Sequence, residues 1–276
     1  MTVIQRAWRL LNTGHKTGPA NMAIDEAIQR AHGRGEVPPT LRFYGWTPAS
    51  VTIGYFQSMA GEVNLAAVKA GGWGAVRRQT GGRMIFHHEE LTYSVAIREE
   101  LLPGGVVETY RELSAGLLAG LQNLGAQPEL SGESEDPRRA NPGGFNTACF
   151  DAPAAYELTV SGRKVAGSAQ TRSGGVILQH GSIPFHLDVD LLFSLLNAPA
   201  DRLEKLKERF RSKAMALDEA LGRSVGWDEA VAAFTAGFRD GLGLALTPGS
   251  LTPAEEAEAA ELLRTKYGSD EWNLKK

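Results

Sequence analysis

The strongest constraint on the fold of this chain is a series of short strand-forming runs broken by glycine and proline. Residues 40–46 (TLRFYGW) and 50–56 (SVTIGYF) read as strands paired across Thr47-Pro48. Runs at 73–78, 83–86 and 91–97 follow, with a Gly81-Gly82 turn between the first two. Further on, 155–160 alternates as a strand does, Ser161-Gly162 is a tight-turn signal, and 164–172 follows as the hairpin partner. Gly174-Gly175 then turns the chain into 176–185, and short runs at 5–11 and 244–247 complete the set.

Helical periodicity fills the intervals. Pro19 opens a helix through about Ala31, with Met22, Ile24, Ala27 and Ile28 on one face. A short helix at 64–70 stops at Gly71-Gly72. Val107, Tyr110, Leu113, Leu117, Leu121 and Leu124 recur at spacings of three and four, and Gly125 ends that helix. The pattern from 186 to Lys213 is helical and charged, and Trp227 to Gly241 is amphipathic. Thr252, Pro253 and Glu255 form a capping-box start for a last helix to about Tyr267. The expectation is an α+β fold with a mostly antiparallel sheet flanked by helices. One large domain is expected over 1–248, its core at about 33–248, followed by a helical extension over 249–276.

The chain has 276 residues, enough to bury a large core. Its net charge of −3 offers no general nucleic-acid surface. No run reaches the roughly 18 apolar residues of a membrane span, and residues 1–14 do not read as a signal peptide. A cytoplasmic location is expected. A single cysteine excludes an internal disulfide and a cysteine-rich metal site.

Three segments can carry chemistry, and each has a plain structural reading. Arg77-Arg78-Gln79-Thr80-Gly81-Gly82-Arg83 puts paired glycines, whose amides can approach a ligand, among arginines that suit an acidic group. It also reads as a basic hairpin turn. Lys164, among the small residues Ala166, Gly167, Ser168 and Ala169, can reach a cleft as a proton carrier or be merely solvated. Cys149 is a nucleophile or a small packing residue. It stands just past 131–146, a polar Pro- and Gly-rich stretch read as a long loop. His87 and His88 are adjacent, so on a strand they face opposite ways. His180 and His186 have no recognised ligand spacing, and no metal is expected. Gln179 to Ser182 reads as core or edge packing, with a polar cleft wall as the other reading. The basic run from Arg202 to Lys213 is either a docking face for an acidic partner or a solvated helix face.

The combination of RRQTGGR with a following histidine, ACFDAPAAYEL, GRKVAGSAQTR and QHGSI, in that order, resembles the lipoate–protein ligase and octanoyltransferase superfamily. Within it, the match is to the LipM-type octanoyltransferases. The resemblance implies the fold of a catalytic domain shared with biotin ligases. It also implies an octanoyl group taken from octanoyl-acyl carrier protein as a thioester on Cys149. A lipoyl-domain lysine, typically of the glycine-cleavage H protein, then receives it as an amide. By the same resemblance Lys164 favours the Cys149 thiolate. Arg77, Gly81, Gly82, Arg83, His88, Gly167, Ser168 and Ala169 fall on the substrate-binding segments. Ile53, Tyr55, Val76, Met84 and Phe86 are expected walls for the acyl tail, and the 131–146 loop is expected to be poorly ordered until the acyl group binds. Neither ATP nor a metal is expected, because thioester-to-thioester and thioester-to-amide transfer need no activation.

Three other activities fit less of the pattern. An amidotransferase between two lipoyl domains differs only in the donor. ATP-dependent ligases typically carry a third glycine where this chain has Arg83. A non-catalytic carrier-binding protein would leave Cys149 an unreactive packing residue.

Overall fold

The computed structural model describes residues 7–130 and 157–275. Among these the strands are β1 (Ala7–Lys16), β2 (Thr40–Trp46), β3 (Ser50–Ile53), β4 (Gly74–Arg77), β5 (Ile85–His87), β6 (Glu90–Arg98), β7 (Pro128–Leu130), β8 (Leu158–Val160), β9 (Arg163–Lys164), β10 (Gly167–Ser173), β11 (Val176–Pro184) and β12 (Ala245–Pro248). Six of them form one sheet in the order β10-β11-β6-β2-β1-β12. Two three-stranded sheets, β4-β3-β5 and β7-β8-β9, complete the strand pairing.

The central pairings, β10 through β2, are antiparallel as the tight turns require, but β2-β1 and β1-β12 are parallel. The physical reason is the helix Gly18–Gly33, which carries the chain back to the starting end of β1 before β2 begins. The helix Leu65–Ala70 does the same between β3 and β4, which are also parallel. The fold is therefore a mixed sheet flanked by helices.

Two strand assignments differ from the sequence reading. The runs 40–46 and 50–56 are not partners: both edges of β2 are taken by β1 and β6, and β3 founds the second sheet beyond a cis Thr47–Pro48 bond. Every residue of β2 is buried, as befits a central strand. The run 164–172 is not one strand either. Lys164 pairs with Thr159 in the small sheet, and from Gly167 the chain pairs with β11 in the large one.

Side-chain alternation sets what each face of the large sheet meets. Leu41, Phe43, Val95, Ile97 and Ile177 pack against the helices Val106–Asn123 and Trp227–Leu242. Those helices touch so closely that a Cβ on Gly237 would stand 2.3 Å from the backbone nitrogen of Gly120. The opposite face lies under helix Gly18–Gly33, with Leu11, Met22, Ile28, Tyr44, Ala96 and Leu178 in contact. A third cluster, including Ile53, Met84, Leu192, Phe193 and Phe210, joins the β4-β3-β5 sheet to helices Val189–Ser194 and Ala200–Lys213. The capping box at Thr252 and Glu255 is present. Glu255 also pairs, fully buried, with Arg9. Among the described residues no helix is long and apolar enough to cross a membrane.

Candidate active site

A small, partly open pocket of about 20 Å³ lies between the large sheet and the β4-β3-β5 sheet. Met22, Tyr44, Trp46 and Ile85 supply apolar walls, and Gly167, Ser168 and Ala169 of the edge strand β10 border it. The remaining lining comes from polar residues whose hydrogen-bonding groups are engaged within the wall.

Two buried networks do this. In the first, the Asp25 carboxylate accepts from Arg42 at 2.6 Å, from Ser94 at 2.8 Å and from the Tyr44 hydroxyl at 2.9 Å. His180 Nδ1 approaches it at 3.5 Å, and His180 Nε2 lies 2.7 Å from Thr80 Oγ1. Burial pushes the Asp25 carboxyl upward, but the Arg42 guanidinium and the hydrogen bonds outweigh this and hold it below the usual carboxylate range. Burial keeps His180 below the usual imidazole range despite Asp25, so the ring is neutral near pH 7. In the second network, His87 Nδ1 meets Glu90 at 2.7 Å, and Thr92 and Ser182 donate to the same carboxylate. His87 Nε2 meets Thr52 at 2.8 Å, and Trp46 stacks on the imidazole with 3.9 Å between ring centres. Arg78 donates to Thr52 Oγ1 at 3.0 Å and to the carbonyls of Gly81 and Arg83. None of the lining residues carries a buried side-chain nitrogen or oxygen without a partner. This is how a wall containing arginine, histidine and carboxylate partners can enclose apolar space.

The sequence candidates divide around this cavity. Gly167, Ser168 and Ala169 line it, and Ser168 Oγ lies 2.8 Å from the Tyr93 hydroxyl. Lys164 is buried on β9, its ammonium 2.9 Å from Glu157, and only Val165 and Ala166 separate it from the lining strand. Gly81, Gly82 and Arg83 form the turn that Arg78 holds. Arg77 does not reach the cavity; its side chain runs the other way, into backbone carbonyls. His88 is exposed and stacks on Phe86, while His87 is buried in the wall. Cys149 and the 131–146 stretch lie outside the described residues.

None of the five residues expected as acyl walls lines this pocket. Ile53, Met84 and Phe86 face the third cluster, Val76 packs under the first helix, and Tyr55 is partly exposed. Their strand neighbours Thr52, Ile85 and His87 are the lining residues. A one-residue offset on a strand moves every side chain to the opposite face. Sequence reasoning also missed Asp25, Trp46 and Glu157. Only an acidic residue inside the apolar stripe of the first helix could have signalled the first.

Among the described residues no cluster of histidine, cysteine, aspartate or glutamate is arranged to hold a metal. On the basic helix Lys207 and Arg211 are engaged in ion pairs: both reach Asp190, and Lys207 also reaches Glu204.

This architecture, a mixed sheet with an apolar pocket beside a glycine-paired turn, belongs to a known class. Residues 18–239 match the lipoyl protein ligase A/B catalytic domain, and the chain belongs to that family. It is 67% identical over 270 residues to the octanoyltransferase LipM of Symbiobacterium thermophilum, covering 98% of each chain. It is 46% identical over 280 residues to the LipM of Bacillus subtilis, covering 99% of each. The resemblance to LipM-type octanoyltransferases carried by the motifs is thus borne out along the whole chain. Among solved structures, a bipartite lipoate protein ligase from Thermoplasma acidophilum superposes with a TM-score of 0.80 at 27% identity, covering 98% of this chain and 97% of that one. A lipoate-protein ligase A bound with ATP gives 0.79 at 28%, covering 97% and 98%.

Proposed function

We propose that this octanoyltransferase of protein lipoylation takes its acyl group from octanoyl-acyl carrier protein, holds it on Cys149, and passes it to a lipoyl-domain lysine such as that of the glycine-cleavage H protein. The observation that carries this reading is the apolar pocket whose lining strand begins three residues after the buried Lys164. Burial of each methylene of the chain in such a space stabilises the complex by about 0.8 kcal/mol.

In the first step the Cys149 thiolate attacks the donor thioester carbonyl, and the carrier thiolate leaves with a proton from solvent or Lys164. In the second, the neutral amine of the acceptor lysine attacks the Cys149 thioester, an amide forms, and the amine proton passes to the departing thiolate. Lys164, oriented by Glu157, supplies positive charge near the thiolate. Gly81, Gly82 and Arg83 border the acyl entrance, and backbone amides near 166–168 receive the oxyanion. Neither step consumes ATP or needs a metal, and the setting is the cytoplasm.

An octanoyl amidotransferase acting between lipoyl domains would use the same groups with another donor. An ATP-dependent ligase is the remaining alternative, disfavoured by the arginine side chain at position 83.

The deciding experiment incubates the chain with octanoyl-acyl carrier protein without ATP and records the intact mass. One octanoyl adduct, removed by hydroxylamine and absent from Cys149→Ala, is expected. Adduct formation only from octanoylated H protein would make the enzyme an amidotransferase. Product formation only with ATP and free octanoate, surviving Cys149→Ala, would make it a ligase.

A further inference from the structure

Arg77 and Arg78 are sequence neighbours that face opposite ways. Arg78 faces the cavity. The Arg77 guanidinium is buried and donates to six carbonyls, three in the turn after β3 and three near the end of the chain. The first set is Gly54 at 3.2 Å, Tyr55 at 2.9 Å and Gln57 at 2.5 Å. The second is Trp272 at 3.0 Å, Asn273 at 3.2 Å and Lys275 at 2.6 Å. The Arg77 backbone is gripped as well: its N–H donates to the Asn273 side chain at 2.9 Å, and its carbonyl accepts from Trp272 Nε1 at 2.8 Å.

The turn held by Arg77 rests directly on the glycine-paired loop. The Tyr55 N–H donates to the Thr80 carbonyl at 2.9 Å. A Cβ on Gly54 would stand only 2.2 Å from the Gly82 carbonyl oxygen, so the contact needs glycine. The Lys275 ammonium sits 3.8 Å from the Tyr55 ring centre and 3.6 Å from that of Trp272, closing the stack.

We infer that residues 270–275 are a strut of the active site: acting through Arg77 and the 54–57 turn, they position the Arg78–Gly82 loop at the cavity. Trp272, Asn273 and Arg77 are positioning residues. The guanidinium fork suits this work, because its fixed donors bind several carbonyls at once, and two of these, of Trp272 and Asn273, are at the open end of the short helix Asp270–Asn273. Without the segment, Arg77 loses three of its six acceptors. The turn and the loop it supports then gain freedom, although the β4-β3-β5 pairing remains.

The strut's effect on acyl transfer rests on the function proposed above; its effect on the loop does not. The test compares the full chain with a variant lacking 270–276 and with Trp272→Phe, which keeps the ring but loses the donor to Arg77. Three quantities are read: amide hydrogen exchange at 78–83, the rate of Cys149 acylation per active site, and the ratio of octanoyl to decanoyl rates. Per-site rates and the chain-length ratio do not depend on how much protein is folded. The truncation is expected to speed exchange at Thr80 to Gly82, to slow acylation about a hundredfold through misplacement of the loop, and to move the ratio toward one. Trp272→Phe moves each quantity the same way by a smaller factor. An unchanged per-site rate and ratio, even with a lower Tm, would overturn the inference and leave the segment a stabiliser of the fold. If the full chain forms no acyl-enzyme, the octanoyl-transfer reading fails, and unchanged exchange at 78–83 would then sink the strut separately.

Discussion

On one face of the six-stranded sheet, Leu41, Phe43, Val95 and Ile97 meet Leu113, Leu117, Phe234 and Phe238. On the other, Arg42, Tyr44 and Ser94 converge on Asp25 of the first helix, with His180 at the edge of hydrogen-bonding distance. The same strands supply both sets, one residue out of phase. The first face is held by close fit, down to glycines where the two long helices cross. The second is held by matched charge and hydrogen bonds, and the cavity is on that side. A wall made only of packed apolar side chains would close over such a space. A wall of tethered polar groups holds its shape, because moving any one of them strands a partner in a dry interior.

The comparison is broken most severely at Asp25. Asp25→Ala leaves Arg42 buried without its counter-charge and should cost about 3–5 kcal/mol. Acylation per folded molecule should fall as well, since His180 and Tyr44 lose their common partner. Adding Arg42→Met should restore much of the stability without restoring activity; urea unfolding and per-site acylation separate the two effects. Leu117→Ala, on the dry face, should cost about 2–5 kcal/mol and leave the per-site rate unchanged. A large activity loss in the folded fraction would mean that the faces are not independent.

The smallest expected effect is on pH dependence. His180 is held below its ordinary value, so its neutral form belongs to the folded state. As pH falls through about 6.5, the unfolded chain binds a proton that the folded chain does not, and stability is lost. His32, lowered by burial, acts in the same direction. Asp25, whose value is lowered, adds stability that persists above about 3.9 and is lost as the carboxyl protonates below it. His186 is raised by its hydrogen bond to Asp218 and works in the opposite direction, but it is mostly exposed and counts for little. The urea midpoint should therefore fall between about pH 7.5 and about pH 5, with a shallower slope in His180→Gln. A slope identical in the variant would show that His180 is not the neutral buried group described here.

The sequence by itself determined what depends on neighbours along the chain. Helix limits followed from periodicity and caps, the last of them from Thr252 and Glu255, and strands followed from alternation and turn residues. The ordered motifs, a glycine pair, then a cysteine, then a lysine, were enough to identify the family. The tertiary structure decided which face each alternating set would take. Ile53 or Thr52, Phe86 or His87, Arg77 or Arg78: each pair is equivalent along its strand, and only the partner sheet and the returning segment at 272–275 separate the residue at the cavity from the one behind it. Strand period fixes the phase between neighbours but not its sign. The sign is set by contacts with residues distant in sequence, for Arg77 nearly two hundred positions away.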